Sequence, residues 1–351
     1  MTSLSQRREA VRPQSAQLAD LDRSSPTPEA AWQTDLRHAI RDPAELYRHL
    51  ELPAPLPRAA NLSHFPLIAP LPFVGRIRPG DPHDPLLKQI WPDEAEAAWV
   101  PGFGTDPVGD SAATRVPGLL QKYHGRALLI AARACAIHCR YCFRREFPYQ
   151  DQPAGRLGWE EPLEQLRNDP SLSEVILSGG DPLMLVDPLL GALLDQLEAI
   201  PHLRRLRIHT RLPIVIPNRV TKALQQRLAA SRFTKVIVVH INHAHEIDDA
   251  VGHALSGLIA AGALLLNQSV LLKGVNDSVA ALAALSDRLI ENRVAPYYLH
   301  ELDRVTGAAH FEASAGRGVQ LIRELRQQLP GYAIPRLVRE EAGQPHKTPL
   351  A

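Results

Sequence analysis

The chain has 351 residues, 45% of them hydrophobic and 22% charged, values ordinary for a soluble globular protein with room for one large catalytic domain and appendages. A formal net charge of +1 supplies no basic field for nucleic acid, and the longest apolar run, 258–266, is far too short to cross a bilayer. Three cysteines offer no disulfide framework and the first ten residues lack the apolar core of a secretory signal, so a cytoplasmic location without membrane or nucleic-acid partners is expected.

Residues 1–30 are polar, with Ser24-Ser-Pro-Thr-Pro28, and read as a flexible N-terminal arm. Residues 31–122 read as a proline-rich, partly helical region. One or two helices are expected between Trp32 and Leu50, followed from Leu52 to Gly118 by a compact stretch without long elements. From Tyr123 the texture changes. Short apolar, β-branched runs at 127–131, 174–178, 206–210, 235–240, 264–270 and 294–300 predict strands. Helical spacing separates most of them, as in Leu189, Leu190, Leu193, Leu194 and Leu197, in Val220, Leu224 and Leu228, and in Val279, Leu282, Leu285 and Leu289. Six such units are too few for a closed eight-stranded barrel. The expected fold is therefore α/β, a partial open (β/α)6 barrel over 123–302 with its site at the C-terminal ends of the strands. A C-terminal segment, 303–351, adds a last helix (Val319, Ile322, Leu325, Leu329) and a run at 333–339.

All three cysteines fall in Cys135-Ala-Ile-His-Cys139-Arg-Tyr-Cys142, straight after the first barrel strand. Three thiolates can hold three irons of a [4Fe–4S] cubane and leave the fourth open to a small chelating molecule. Two other readings stand beside this one: a zinc site completed by His138, and a buried apolar trio. Zinc motifs usually come in loop-closing pairs, and a buried trio has no need of a single loop, so spacing and position favour the cluster.

The pattern Cys-x3-Cys-x-aromatic-Cys, with Tyr141 as the aromatic, resembles the radical S-adenosylmethionine superfamily. Further segments resemble the lysine 2,3-aminomutases: Tyr123-His-Gly-Arg126, residues 135–145, Ser178-Gly-Gly-Asp-Pro182, Asn267-Gln-Ser-Val-Leu-Leu-Lys-Gly-Val-Asn-Asp277 and Lys347-Thr-Pro349. They occur in order from about Phe65 to the C-terminus. The short C-terminus and Phe143-Arg-Arg-Glu-Phe-Pro-Tyr149 look most like the branch that makes β-lysine for elongation factor P.

The resemblance implies an isomerase acting on L-lysine, with an external electron donor and a functional link to elongation factor P and its lysyl-ligase. It implies a [4Fe–4S] cluster on Cys135, Cys139 and Cys142, and S-adenosylmethionine beside Tyr141, Ser178, Gly179, Gly180 and Asp181. It implies pyridoxal 5'-phosphate on the catalytic Lys347, with Tyr123 and Arg126 at its ring and phosphate. Arg144 is expected on the lysine carboxylate, and Asp303 on the ε-ammonium, with Glu340 standing where relatives have a second aspartate. Ser278 falls where longer relatives have a zinc-binding cysteine, so no such zinc is expected here.

A lysine this near a chain end is ordinarily a solvated tail residue. Against that, the chain has only six lysines beside 33 arginines, and a primary amine is the side chain that forms a reversible imine with an aldehyde cofactor. Lys347 is what separates the reading from a radical enzyme without pyridoxal phosphate. The remaining alternative is a non-catalytic iron–sulfur or zinc protein. His240, His243 and His245, after the fourth barrel strand, read as cavity-lining hydrogen bonders rather than metal ligands.

Overall fold

The computed structural model describes residues 31–54, 65–152 and 158–351; the expected N-terminal arm lies outside the described residues. Helices α1 (Ala31–Arg37) and α2 (Pro43–His49) form where Trp32 to Leu50 suggested them. Asp42 caps α2 by accepting from the Ala44 amide, and Pro43 occupies the first turn, where its missing donor costs nothing. The proline-rich stretch supports only single turns, α3 (Leu71–Val74), α4 (Pro85–Lys88) and α5 (Asp110–Ala113). Proline favours the start of a helix and cannot extend one, which keeps these elements short. Two short antiparallel strands, β1 (Thr114–Val116) and β2 (Leu119–Leu120), then lead into the barrel.

Six strands follow at the expected positions: β3 (Arg126–Ala132), β4 (Glu174–Gly179), β5 (Arg205–Thr210), β6 (Thr234–His240), β7 (Ala263–Val270) and β8 (Ala295–His300). From β4 on, each is parallel to the one before it, as in Leu128↔Ile176, Ile176↔Arg207, Arg207↔Val236 and Val236↔Leu264. Helices cover the outer face: α6 (Glu160–Asn168), α7 (Asp187–Glu198), α8 (Leu212–Val215), α9 (Lys222–Ala229), α10 (Asp249–Ala260) and α11 (Val279–Glu291). In β5, Leu206, Ile208 and Thr210 are buried while Arg207 and His209 are partly open, the alternation of a strand with one face on helices and one on the barrel lumen.

The sheet continues past the sixth barrel strand. After α12 (Arg317–Leu325), strand β9 (Arg336–Arg339) adds parallel to β8, and β10 (Thr348–Pro349) adds antiparallel to β9. All ten strands form one sheet in chain order, and it does not close on itself. The fold is the open partial barrel expected, lengthened at both edges. β9 lies inside the run at 333–339, which the sequence alone does not assign as a strand; of its four residues only Leu337 and Val338 are buried.

One apolar core runs without a break from Trp32 through the barrel helices to Val294. A second, around Leu271, Leu282, Leu321 and Leu337, packs α11, α12 and β9 together and takes in Leu350 and Ala351. Among the described residues no helix is long and apolar enough to cross a membrane.

Candidate active site

The cysteine loop begins where β3 ends, and it is gripped from two sides. On one side the end of β4 lies against it: the Gly180 amide donates to the Ala132 carbonyl at 2.8 Å and the Asp181 amide to the Ala134 carbonyl at 2.9 Å. Gly179 has φ of +119°, and a Cβ there would stand 2.3 Å from the Ala132 oxygen. A Cβ on Gly180 would stand 2.3 Å from the Ala134 oxygen. Both glycines are thus required by backbone-to-backbone contact with the cysteine loop.

On the other side the proline-rich stretch closes over the loop. The Arg140 amide donates to the Gln89 carbonyl at 2.9 Å, and its guanidinium reaches Glu96 (Nε–Oε1, 2.7 Å) and the Phe65 carbonyl (2.8 Å). Arg145 joins the same Glu96 at 2.7 Å. Against the cost of burial, the two arginines hold Glu96 below the usual carboxylate range. His138 is engaged by the Pro66 carbonyl at 2.7 Å and stacked on Phe65, so its ring is committed away from the sulfurs.

Cys135, Cys139 and Cys142 carry free thiols and are half-buried. Desolvation, with their neighbours' negative charge added, pushes the Cys135 thiol well up and the Cys142 thiol up to about 11. Thiols so placed ionise readily only with a cation bound to them, which is what an iron–sulfur core provides. Among the described residues no three His, Cys, Asp or Glu side chains converge on a single metal ion; a cubane instead takes each thiolate on a separate iron.

Tyr141 stands in a buried polar cluster that its sequence position did not reveal. Its hydroxyl accepts from Arg211 Nη1 at 2.7 Å and from Asn242 Nδ2 at 2.6 Å. Arg211 Nη2 donates to Gln89 Oε1 at 2.7 Å and Glu246 Oε2 at 2.8 Å, while Nη1 also reaches Cys139 Sγ at 2.6 Å. These residues come from α4 and from the ends of β5 and β6. Nothing in the local sequence of any of them signals the cluster.

The Asp181 carboxylate is fully used within the protein. It accepts from the Thr210 hydroxyl at 2.7 Å and from the Leu183, Arg211 and Leu212 amides at 3.0, 2.8 and 3.0 Å. It therefore ties the end of β4 to the end of β5. Ser178 turns toward the lumen, where its Oγ accepts from Arg144 Nη1 at 3.2 Å.

From Arg144 a row of alternating charges leads to Lys347. Arg144 Nε bonds Asp110 Oδ2 at 2.7 Å, and Asp110 Oδ1 meets Lys122 Nζ at 2.7 Å. Lys122 lies 3.5 Å from Glu340 Oε1, and Glu340 Oε2 pairs with the Lys347 ammonium. Tyr123 donates its hydroxyl to Glu340 Oε1 at 2.8 Å, and the Arg126 guanidinium lies over the Tyr123 ring at 4.5 Å. Against burial, the Lys347 ammonium holds Glu340 low. The β9–β10 register explains the last pair: Thr348 faces Arg339, which sets Lys347 opposite Glu340 across the hairpin. The tail is tied down, with the Leu350 amide donating to the Leu337 carbonyl at 2.9 Å.

Asp303 follows β8 and faces this row. Among the described residues nothing donates to its carboxylate, and burial, with Glu340 adding, pushes it up to about 7 despite Lys347 and Lys122. Three lumen histidines stay neutral. Burial takes His240 down to about 3, and burial with the Lys347 charge nearby takes His209 and His300 well down. Gln268 lies 3.0 Å from His240 Nε2, while among the described residues Nε2 of His209 and of His300 has no hydrogen-bond partner. His243 and His245 instead form a turn in which the His243 ring accepts from the His245 amide at 3.2 Å. Ser278 caps α11, accepting from the Ala281 amide. Asp110 and Lys122 were missed in the sequence, since a lone acid in a proline-rich stretch and a lone lysine carry no spacing to read.

No family model matches the chain. Three bacterial L-lysine 2,3-aminomutases do. That of Escherichia coli (strain K12) is 48% identical over 322 residues, 91% of this chain and 94% of that protein. That of Haemophilus influenzae is 46% identical over 322 residues, with 91% and 95% covered. That of Clostridium subterminale is 33% identical over 330 residues, with 91% and 77% covered. Among solved structures, Streptococcus suis SuiB bound to S-adenosylmethionine overlaps at a TM-score of 0.44 and 17% identity, covering 62% of this chain and 51% of that one. Identity at this level to the named relatives, over nearly the whole of both chains, places the protein in the L-lysine 2,3-aminomutase family.

Proposed function

We propose that the protein converts L-lysine to β-lysine by a radical 1,2-amino shift, using a [4Fe–4S] cluster, S-adenosylmethionine and pyridoxal 5'-phosphate. The observation that carries this reading is the row Arg144–Asp110–Lys122–Glu340–Lys347, which joins the cysteine loop to the Lys347 hairpin. The donor set suits the cofactors. Cys135, Cys139 and Cys142 would each hold one iron, and Tyr141, Ser178, Gly179 and Gly180 would border S-adenosylmethionine. Lys347 would carry the pyridoxal, with Tyr123 and Arg126 beside it. When bound, these groups supply a carbon radical able to take hydrogen from an unactivated C–H bond and a π system that stabilises the migrating radical.

The chain's own residues do the rest. Arg144, fixed through Nε by Asp110, presents its remaining edge to the substrate carboxylate as a planar fork. Asp303, to whose carboxylate nothing donates among the described residues, is the natural acceptor for the ε-ammonium. Glu340, released when the Lys347 nitrogen is engaged, becomes a second one. Asp181 acts by holding two strand ends together. The lumen histidines stay uncharged, so they leave the substrate's ammonium unopposed.

The finer assignment, that the β-lysine serves elongation factor P through its lysyl-ligase, rests on the likeness of the 143–149 segment. Anaerobic incubation with L-lysine, reductant and all three cofactors, followed by mass spectrometry against β-lysine, tests the reaction. Cleavage of S-adenosylmethionine with lysine left unchanged would overturn it. Supplying the product to elongation factor P and its ligase tests the assignment.

A further inference from the structure

The Arg211–Glu246 pair has no role in the reading above, yet it sits against a proposed cluster ligand. Arg211 is 6% exposed and Glu246 fully buried. The guanidinium is fixed by Gln89 and Glu246 at Nη2 and by the Tyr141 hydroxyl at Nη1, and the Arg211 backbone amide is anchored separately by donating to Asp181. The Phe73 and Tyr141 rings lie 5.4 and 5.7 Å from its centre. Held there, Nη1 reaches Cys139 Sγ at 2.6 Å. Among the described residues Cys139 is the one cysteine of the three whose sulfur accepts from a side chain.

We infer that Arg211 raises the reduction potential of the cluster held by Cys139, and that Glu246 limits how far. The inference rests on the three cysteines being the cluster ligands. Reduction adds one electron from a low-potential external donor and makes the cluster one charge more negative. A fixed cation bonded to a ligand sulfur therefore stabilises the reduced state more than the oxidised one. Low local polarity enlarges the effect, and a carboxylate on the far side of the same guanidinium diminishes it. Arg211 acts through Cys139 and is a positioning residue in this sense, with no contact to the reacting carbon implied.

The two charges should move the potential in opposite directions, which a loss of packing would not do. Wild-type, Arg211→Gln, Arg211→Lys and Glu246→Gln proteins are reconstituted anaerobically without S-adenosylmethionine. Each is titrated with dithionite and mediators, reading the reduced cluster by electron paramagnetic resonance, with iron content measured in parallel. Arg211→Gln is expected to lower the equilibrium constant for reduction about tenfold, which is about 59 mV for one electron. Glu246→Gln is expected to raise it, and Arg211→Lys to fall between wild type and Arg211→Gln. Equal potentials throughout, or shifts of the same sign in Arg211→Gln and Glu246→Gln, overturn the inference. If Arg211→Gln cannot hold its cluster, Glu246→Gln decides alone: an unchanged or lowered potential overturns it. A wild-type protein that assembles no cluster overturns the cysteine assignment instead, and this inference falls with it.

Discussion

Lys347 and Glu340 answer each other across a hairpin, while the three cysteines sit on a separate loop and the side chain that reaches one of them, Arg211, belongs to neither strand of that hairpin. Cluster and coenzyme functions should therefore separate. Lys347→Ala is expected to assemble a full complement of iron and sulfide but to lose the pyridoxal absorbance, borohydride trapping and aminomutase activity. Retained trapping would assign the aldehyde to another lysine. Asp303 is a second test at this scale. Its carboxyl, pushed up to about 7, binds a proton more tightly in the folded protein than in the unfolded chain, whose reference value is 3.8. The ionised group thus costs stability above about pH 7, and the cost fades as pH falls toward 4. Asp303→Asn should raise the Tm at pH 8 by at least about 2 °C, with little gain at pH 4. It should also raise the Michaelis constant for lysine and remove that constant's rise below pH 7. The residues legible in the sequence were those in spaced motifs, the cysteines and the Lys-Thr-Pro segment. Asp110, Lys122, Arg211 and Glu246 were not, because single charged residues become a network only when strand ends from distant parts of the chain are brought together.

Among the elements, the six barrel strands were readable because each is a short apolar run and helical spacing separates most of them. Strands β9 and β10 were not, being four and two residues long, yet they set the register that positions Lys347. Short strands gain their stability from neighbours already in place, so local sequence carries little of the signal. Gly179 and Gly180, expected beside S-adenosylmethionine, are also packed against backbone at the start of the cysteine loop. Gly179→Ala combines an unfavourable φ with a clash against the Ala132 carbonyl. A loss of about 3 kcal/mol or more is expected, seen as a lowered denaturation midpoint together with poor iron retention. If iron content stays normal, the turn does not support the cluster loop.

At the scale of the whole molecule, the proline-rich N-terminal region and the barrel share one apolar core, and the Glu96–Arg140–Arg145 cluster fastens the first to the cysteine loop. Removing one member of such a pair strands the other. Glu96→Ala should cost about 3–5 kcal/mol and release iron at a denaturant concentration that leaves far-ultraviolet circular dichroism unchanged. The open sheet has a further consequence. Among the described residues the segment after β2 meets the end of β9 where Lys122 and Tyr123 reach Glu340, and the Gly104–Val305 bridge lies outside the strands. One of these contacts, Lys122 with Glu340, is an ion pair, a latch that answers to the surrounding electrolyte. Added salt weakens the latch without touching the hydrogen bonds of the sheet. Coenzyme exchange should accelerate with ionic strength, while amide protons in β4 to β7 keep their protection. A molecule so built can loosen the contact between the segment after β2 and the end of β9 without unfolding a single strand.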